Sequence, residues 1–600
     1  MNPYPRHRIR PDHCLDGSWE FAWLGTDVDL SAAALSSAER FRDALDAAGP
    51  EGRAIVPSCF DTIPGLAGAR GTAAYRTWLP AGRGRRGRLV FDGLGIWAAV
   101  YADGELLHVH RKPYSPFTVE LPARPGATSA SRRPAPRELI VVVDNRFSTR
   151  RSPLQENYFD FYAYGGIFRP VRYQEVPAHH LTSVRVTPVD PAAGTVTVTV
   201  TTSEPGPARI AYAFDGREPG EPVAVDITGA GARLDLAVPD PAPWTSDAPH
   251  LHTLEVLLLA DAEAPGDGEA VDDMTVRFGL RTVAVRGRDI LLNGAPVRMF
   301  GWNRHEAHPQ YGPALPAAQL EQDIRIMKAA GANFVRGSHY PQDARFLDLC
   351  DELGLMVWEE SIGWQQDERH FADEEYGKLV VEQQREMIAA HANHPSIIMW
   401  GFQNELHSEK ESARPLIEEL SAVTREADPT RPVTFATCRF PHDRCLDLVD
   451  IISINTYPGW YASDQDEYRP VAEIGQRIGS VIAELERQGH GKKPLIVSEI
   501  GAGAIYGLRD PHAGHWSEQY QTEYLETICT EFLANEQITG LALWQFCDCR
   551  TYGSSRALFR PRGFNNKGIV DEYRRPKDAY GAVTRLMTDQ QQEKPCASQL

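Results

Sequence analysis

Residues 397–405 read Ile-Ile-Met-Trp-Gly-Phe-Gln-Asn-Glu, an apolar run that ends in two amides and a carboxylate. A short apolar run that follows His-Pro is typical of a buried β-strand. A carboxylate at the end of such a strand is costly to bury unless it is paired or takes part in chemistry. The pattern returns in Leu495-Ile-Val-Ser-Glu499. The sequence therefore predicts two buried strand ends, one carrying Glu405 and the other Glu499.

Most glycoside hydrolases cleave the glycosidic bond with a pair of carboxyl groups. For either glutamate alone, a paired structural carboxylate would be an equally good explanation, since such groups are also buried. Two of them at strand ends of the same domain favour the catalytic interpretation.

The chain around these residues alternates between strand and helix patterns over about 300 residues. Helical periodicity is evident in Ala317–Ala330, Glu382–Ala392 and Ser517–Leu533. The candidate strands are Val297–Trp302, Phe334–Gly337, Met356–Glu360, Ile397–Glu405, Val433–Ala436, Ile451–Asn455, Leu495–Glu499 and Gly540–Phe546. This rhythm predicts a (β/α)8 TIM barrel, in which active sites lie at the C-terminal ends of the strands.

The part of the chain before the barrel has the pattern of two β-sandwiches. Residues 1–179 are rich in short β-type runs and turn signals such as Asp103-Gly104, which predict a jelly-roll-like sandwich of the sugar-binding type. In residues 180–285, the run Thr195-Val-Thr-Val-Thr-Val-Thr alternates with period two, and the length suits an immunoglobulin-like sandwich. Residues 286–600 would form the barrel with a short polar tail from Asp589.

The composition excludes several classes of protein. A chain of 600 residues is too long for one core, and a formal charge of −19 argues against a nucleic-acid partner. The nine cysteines contain no CxxC pair, so we expect no metal site, no cofactor and reduced thiols. We see no signal-peptide core and no membrane span, and we expect a cytoplasmic protein without a membrane partner.

The domain order and four motifs resemble glycoside hydrolase family 2. The motifs occur in the family's order and are Gly301-Trp-Asn-Arg-His-Glu306, Arg336-Gly-Ser-His-Tyr-Pro341, Trp400-Gly-Phe-Gln-Asn-Glu405 and Val497-Ser-Glu499. The resemblance implies that Glu405 is the acid/base and Glu499 the nucleophile of a retaining glycosidase.

Further stretches bear on which member of the family the chain resembles. Asn303-Arg-His-Glu306 with His308-Pro309 is similar to the β-galactosidases. The C-terminal stretches Trp544-Gln-Phe, Asn565-Asn-Lys-Gly568 and Arg575-Pro-Lys577 are similar to the β-glucuronidases. The second resemblance implies that Asn565 and Lys567 bind the sugar carboxylate. It also implies substrate-binding roles for Asp160, His339 and Tyr457.

Two departures weigh against a β-galactosidase. Long members of that group carry β-domains after the barrel, and they hold a divalent cation where this chain has Gly363 and Gln365, which do not suit a hard cation. One departure concerns the β-glucuronidases, because their usual arginine falls here on Pro561, between Arg560 and Arg562. We assign Arg562 to that role.

The expected chemistry is a retaining mechanism with the two carboxyl groups about 5 Å apart. Glu499 would attack the anomeric carbon, and Glu405 would protonate the leaving group and then activate water. Crowding raises the pKa of one carboxyl group of such a pair, and we expect the retained proton on Glu405. Asn404 would bind the sugar 2-hydroxyl, Tyr457 would donate to Glu499, and Trp544 would form a platform under the ring.

Each of these residues also has a plain structural explanation. Tyr457 and Trp544 could be core aromatics, and His339 could be a core histidine with satisfied hydrogen bonds. Asp160 would pass for a loop residue, and only the resemblance singles it out. Lys567 would most often be a surface lysine, and its place after the turn Gly563-Phe-Asn-Asn566, which follows the last strand, singles it out.

We predict a retaining exo-β-glycosidase that hydrolyses β-D-glucuronides. We expect it to form a homo-oligomer and to bind a uronide as its substrate. Two alternatives stay open. One is a β-galactosidase or β-galacturonidase of the same family, and the other is a catalytically inactive carbohydrate-binding protein. The loop Ser361–Asp373 is too short to form a long lid over the leaving group.

Overall fold

The structure is a computed structural model that describes residues 3–80, 86–122, 136–148, 150–154, 160–260, 268–461, 471–552, 554–555 and 558–593. Among these residues, no helix is both long enough and apolar enough to cross a membrane. The polar tail predicted from Asp589 begins inside a helix that continues to Glu593, and residues 594–600 lie outside the described part.

The first unit is a sandwich of two antiparallel sheets, ordered β1-β10-β5-β8 and β3-β2-β4-β9-β6-β7. Apolar side chains from both sheets, such as Trp19, Tyr75 and Phe91, form its core. Two helices, α1 (Ala32–Leu35) and α2 (Glu39–Ala48), cover the outer face of the larger sheet. The strands are β1 Asp12–Cys14, β2 Gly17–Gly25, β3 Arg53–Val56, β4 Thr72–Leu79, β5 Arg86–Phe91, β6 Trp97–Ala102, β7 Glu105–His110, β8 Phe117–Leu121, β9 Arg137–Asp144 and β10 Val171–Val176.

The second unit is a smaller sandwich with sheet orders β11-β12-β15 and β14-β13-β16-β17. The alternating run in β12 buries Val196, Val198 and Val200 in its core, as period-two alternation predicts. The strands are β11 Leu181–Asp190, β12 Thr195–Thr202, β13 Gly206–Phe214, β14 Val223–Ile227, β15 Ala232–Ala237, β16 His252–Leu259 and β17 Ala270–Phe278.

The third unit is a closed parallel barrel, and β29 pairs with β21 to complete it. Phe435 interrupts the fifth strand, which is therefore split into β25 and β26. The barrel strands are β21 Met299–Arg304, β22 Phe334–Gly337, β23 Met356–Glu360, β24 Ile397–Gly401, β25 Val433–Thr434, β26 Ala436–Thr437, β27 Ile452–Asn455, β28 Leu495–Ile500 and β29 Ile538–Leu543.

A three-stranded meander precedes the barrel and seals its N-terminal end, where Ile290 and Leu292 pack against Met299, Phe334 and Trp358. Its strands are β18 Val283–Arg286, β19 Asp289–Leu292 and β20 Ala295–Val297.

Helices surround the barrel, namely α3 Ala317–Ala329, α4 Ala344–Leu353, α5 Glu368–Phe371, α6 Glu374–His391, α7 Arg414–Ala427, α8 Ile474–Arg487, α9 Glu518–Ala534 and α10 Asp578–Glu593. The chain between β29 and α10 adds β30 Cys549–Arg550, β31 Ser554–Ser555, β32 Leu558–Phe559 and β33 Phe564–Asn565. Short 3-10 turns occupy Gly49–Glu51, Phe60–Thr62, Glu411–Ala413, Leu446–Leu448, Val471–Glu473 and Pro561–Gly563.

This architecture of sandwiches followed by a TIM barrel confirms the predicted fold class. One boundary that matters for function is corrected. The fourth barrel strand ends at Gly401 and not at Glu405. Gln403 and Glu405 have φ angles of 50° and 54°, and a left-handed backbone cannot continue a strand. Glu405 therefore lies on the loop that follows β24.

A helix boundary also differs from the prediction. Helix α6 begins at Glu374, eight residues before the predicted start at Glu382. Asp373 caps it, because its side chain accepts hydrogen bonds from the backbone of Glu375 and Tyr376. Tyr376, Leu379 and Val380 are buried ahead of the predicted start, so the apolar face of the helix begins earlier than the prediction.

Candidate active site

Arg336 is the hub of the buried polar cluster at the C-terminal end of the barrel. Its guanidinium donates to Glu499 at 2.8 Å, to Glu360 at 2.9 Å and to Asn404 at 2.9 Å. These residues come from β22, β28, β23 and the loop after β24. Parallel strands end at the same edge of the barrel, and this is why residues so distant in sequence converge.

Glu405 is held through both of its carboxylate oxygens. Asn455 Nδ2 donates to Oε1 at 2.9 Å, and Gln365 Nε2 donates to Oε2 at 3.0 Å. Asn455 Nδ2 also donates to Asn404 Oδ1 at 3.1 Å. A continuous network of hydrogen bonds therefore connects Glu405, through Asn455, Asn404 and Arg336, to Glu499.

Glu499 is buried and accepts from two donors, Arg336 at 2.8 Å and the Tyr457 hydroxyl at 2.7 Å. Burial raises the pKa of Glu499 to about 8 even though the Arg336 charge opposes the shift, and the charge of Glu405 raises it further. Burial is thus the main cause of the raised pKa of Glu499. The proton that the retaining mechanism needs on Glu405 stays a prediction.

The rings of His339, Trp544 and His305 pack together, and His339 lies close to Glu499. His339 Nδ1 lies 2.9 Å from Glu360 Oε1, and its ring stacks on Trp544 with centroids 5.3 Å apart and planes at 14°. His339 Nε2 lies 3.7 Å from Glu499 Oε1. Burial lowers the pKa of His339 well below its usual value, and the neighbouring Arg336 charge lowers it further, which favours the neutral imidazole. His305 packs edge-on against both rings.

A second polar cluster joins the first sandwich to the end of the barrel. Arg560 donates to both oxygens of Asp160, at 2.7 and 2.5 Å, and Asn565 Nδ2 donates to Asp160 at 2.8 Å. Arg560 also donates to the Tyr461 hydroxyl at 3.1 Å. Burial acts to raise the pKa of Asp160, but the charge and the hydrogen bonds of Arg560, together with the charge of Lys567, outweigh it and hold the pKa below the usual value.

Lys567 lies at the centre of this second cluster with only 2% of its surface exposed. Its ammonium donates to the Tyr461 hydroxyl at 2.6 Å and lies 5.5 Å from the ring centroid of Tyr457. Within the described part of the chain it has no carboxylate partner. Burial and the Arg560 charge lower the pKa of Lys567 well below its usual value, and Asp160 opposes the shift.

The structure brings nine of the ten predicted site residues into these two clusters and leaves Arg562 outside. Arg562 has half of its side chain exposed and pairs with Glu572 at 3.2 Å. Its φ of 60° is left-handed, and this backbone turn directs it away from Asp160. Arg560, two residues earlier, occupies the place that we assigned to Arg562.

Sequence reasoning also missed several members of the site. Arg336 was inside a quoted motif, and Glu360 ends a predicted strand, so the logic that found Glu499 could have found both. Asn455 lay in the stretch that contains Tyr457. Nothing in the sequence singles out Tyr461, because its role depends on Arg560 and Lys567, which are distant in the chain.

Among the residues that the structure describes, one group of side chains has the arrangement of possible metal ligands, and it lies away from this site. Asp348, Asp351 and His394 each offer a ligand atom, and these atoms lie within 4.8 Å of one another. Arg277 already pairs with Asp348 at 2.8 Å and lies 3.9 Å from Asp351. The guanidinium supplies the positive charge that a cation would bring, so the residues present do not favour a metal.

Known proteins that are similar to this chain identify its family. The family model described as "Glycosyl hydrolases family 2, TIM barrel domain" matches residues 283–591. A β-glucuronidase from Canis lupus familiaris is 29% identical over 626 residues, covering 96% of this chain and 90% of the relative.

Two solved structures are similar over 98% of both chains. A β-galacturonidase from Eisenbergiella tayi superposes with a TM-score of 0.83 at 32% identity, and a β-glucuronidase from Lactobacillus rhamnosus with 0.82 at 25% identity. From its barrel, its carboxylate pair and these relatives, we conclude that the chain belongs to glycosyl hydrolase family 2, in the group of the glucuronidases and galacturonidases.

Proposed function

We propose that this protein is a retaining exo-β-glycosidase whose substrates are β-D-glucuronides. The observation that carries the proposal is Lys567, a buried ammonium with no carboxylate partner among the described residues. A buried charge without a partner is costly, and a carboxylate on the substrate would supply the missing partner. A uronic acid carries this carboxylate at C6.

Glu499 is the proposed nucleophile, and Glu405 the proposed acid and base. The reaction needs the charge on Glu499 and the proton on Glu405. Arg336 and Tyr457 both donate to Glu499, whereas amides donate to Glu405, and a charge-assisted donor favours the anion more. The positive charge that develops on the sugar ring adds to this preference in the transition state.

Asn404 is the proposed contact to the sugar 2-hydroxyl. Its Oδ1 accepts from Arg336 and Asn455, while its buried Nδ2 has no hydrogen-bond partner among the described residues. A buried amide donor without a partner is unfavourable, so a substrate oxygen that accepts from it would be stabilised. His339 and Trp544 would line the face of the same sugar.

A second candidate substrate is the β-D-galacturonide, which differs from the glucuronide at C4. The observation that favours it is the 32% identity to the β-galacturonidase from Eisenbergiella tayi. Lys567 would serve the carboxylate of either sugar, but it disfavours a neutral β-galactoside. The two glutamates with their complete sets of donors disfavour an inactive binding protein.

The test is the activity on the 4-nitrophenyl β-D-glucuronide, galacturonide, galactoside and glucoside. We expect the glucuronide to have the highest kcat/KM and the two neutral sugars to lie at least ~10²-fold lower. A galacturonide preference would transfer the proposal to the second candidate. A preference for a neutral sugar would refute the role of Lys567, and the absence of any turnover would refute a hydrolase.

A further inference from the structure

The loop that follows β23 continues the pairing of the barrel beyond the strand ends. Asn404 N donates to Gly363 O at 3.0 Å, and Gln365 N donates back to Asn404 O at 2.9 Å. His407 N then donates to Gln366 O at 2.8 Å. The segment 363–366 therefore runs as a ladder beside the segment that carries Glu405.

A buried side chain locks the two segments together. Gln403 Nε2 donates to Ile362 O at 2.8 Å, and the Tyr376 hydroxyl donates to Gln403 Oε1 at 3.0 Å. The amide of Gln403 fills the space beside Gly363, where a Cβ atom would come within 2.6 Å of it. A glycine is needed at this position, and the loop cannot shift without breaking these contacts.

This ladder places the Gln365 side chain beside Glu405. Its Nε2 lies 3.0 Å from Oε2, on the partly exposed side of the carboxyl group, and Asn455 holds Oε1 from the buried side. Asn455 is itself fixed, because the Ser498 hydroxyl donates to its Oδ1 at 2.7 Å. The orientation of Glu405 thus depends on one rigid donor from the barrel and one donor from the loop.

We propose that Gln365 is the positioning residue for Glu405 in both halves of the reaction, an inference that rests on the proposed function of Glu405. Donation from its amide fixes the carboxyl plane relative to the leaving-group oxygen and stabilises the ionised form. The amide also carries an acceptor, so the same side chain can serve the protonated form by exchanging its ends.

The test replaces Gln365 by Met, which keeps the length of the side chain and removes the donor. Two aryl uronides of the preferred sugar are compared, with 4-nitrophenol and phenol as leaving groups. We expect kcat/KM to fall by ~10-fold or more for the phenyl substrate, which needs acid assistance, and by less than ~3-fold for the 4-nitrophenyl substrate.

The pH profile gives a reading that loss of packing would not change. Without the amide donor the ionised form of Glu405 is less stable, so the proton is retained to higher pH. In a Glu499→Gln background, where Glu499 no longer titrates, the ionisation of Glu405, followed by infrared difference spectroscopy, should move to higher pH in Gln365→Met. It should move further in Gln365→Glu, which also adds a negative charge beside Glu405.

Gln366→Met is the matched control. Gln366 is the next residue of the loop and is buried, and its side-chain amide has no hydrogen-bond partner among the described residues. The same substitution there should leave the leaving-group dependence at its wild-type value, and in the Glu499→Gln background it should leave the ionisation of Glu405 unchanged.

A double variant tests whether Gln365 acts through Glu405. Gln365→Met combined with Glu405→Gln should match Glu405→Gln alone, because Gln365 acts through Glu405. The inference is overturned if Gln365→Met slows both substrates equally and multiplies the effect of Glu405→Gln. If Glu405→Gln itself slows both substrates equally, the proposed function fails instead.

Discussion

Arg560 donates two hydrogen bonds to Asp160, at 2.7 and 2.5 Å, and this pair joins the loop after the last barrel strand to the first sandwich. Asp160 also accepts from Asn565, which lies two residues before Lys567. The sandwich thereby contributes a carboxylate to the site. Asp160 neutralises Arg560, so Lys567 remains a cation of this cluster without a carboxylate partner among the described residues.

The first prediction compares Arg560→Ala with Arg562→Ala. The first change leaves the Asp160 carboxylate buried without its partner, and we expect kcat/KM for the preferred uronide to fall by ~10²-fold or more. The second removes a half-exposed side chain and should change kcat/KM by less than ~2-fold. Steady-state kinetics with a thermal melt of each variant provide the measurement, and equal effects would contradict the assignment.

Asp160→Asn combined with Arg560→Gln tests whether the two side chains act together. Each single change leaves one buried charge without its partner, whereas the double change leaves two neutral groups. We expect the loss in the double variant to be smaller than the product of the single losses, by about 1–3 kcal/mol of coupling. Additive losses would show that the contact does not matter for activity.

Lys567→Met tests the recognition of the sugar carboxylate. Methionine keeps the apolar stem and removes the charge, so kcat/KM for the uronide should fall by ~10²-fold, and the neutral glucoside should change little or improve. Asn565→Ala should act in the same direction but less, because it removes a neutral donor. Equal losses on charged and neutral sugars would make Lys567 structural.

The lowered pKa of Lys567 leads to a pH dependence. Burial favours the neutral amine, so in the free enzyme the positive charge is lost at a lower pH than for an exposed lysine. Selectivity for the uronide over the neutral glucoside, measured as a ratio of kcat/KM values, should therefore fall as the pH rises. The ratio should not depend on alkaline pH in Lys567→Met.

Glu499→Gln should abolish turnover while the melting temperature stays close to that of the wild type. A 2-fluoro glycosyl fluoride of the preferred sugar should label Glu499 in the wild type, since the trapped intermediate is an ester of this side chain. Peptide mapping identifies the labelled residue. A label on any other carboxylate would refute the assignment of the nucleophile.

The same reagent reports the ionisation of Glu499, because fluoride leaves without acid assistance. With a pKa of about 8, ionised Glu499 accumulates as the pH rises, so the labelling rate should rise with a midpoint near pH 8. Glu405→Gln removes a negative charge that contributes to this raised pKa, and the midpoint should move to lower pH. An unchanged midpoint would show that the two carboxyl groups are not coupled.

Glu405→Gln should also separate the two steps of hydrolysis. Substrates with poor leaving groups should lose the most activity, and added azide should restore the second step by forming a β-glycosyl azide, because this anion needs no general base. Product analysis by NMR identifies the azide. If azide has no effect and all leaving groups suffer equally, Glu405 is not the acid and base.

The amino-acid sequence by itself determined the order of the units, the barrel and the two glutamates. Burial of a strand is a local property that period and length reveal, and Phe334–Gly337 and Met356–Glu360 were predicted with their observed bounds. Glu499 ends such a run and could be found without knowledge of its neighbours. The pattern of Lys567 after a turn rich in Gly and Asn was likewise readable because it lies within one short stretch.

Only the tertiary structure decided which arginine meets Asp160, which residues hold Glu405 and how far burial raises the pKa of Glu499. Arg560 and Arg562 are alike in sequence, and the left-handed turn at Arg562 separates them. Contacts of Arg560 with Asp160 and of Gln365 with Glu405 join loops whose paths depend on the closed barrel. Local patterns describe the burial of one segment, whereas hydrogen bonds and pKa values depend on the distances between segments that only the folded chain brings together.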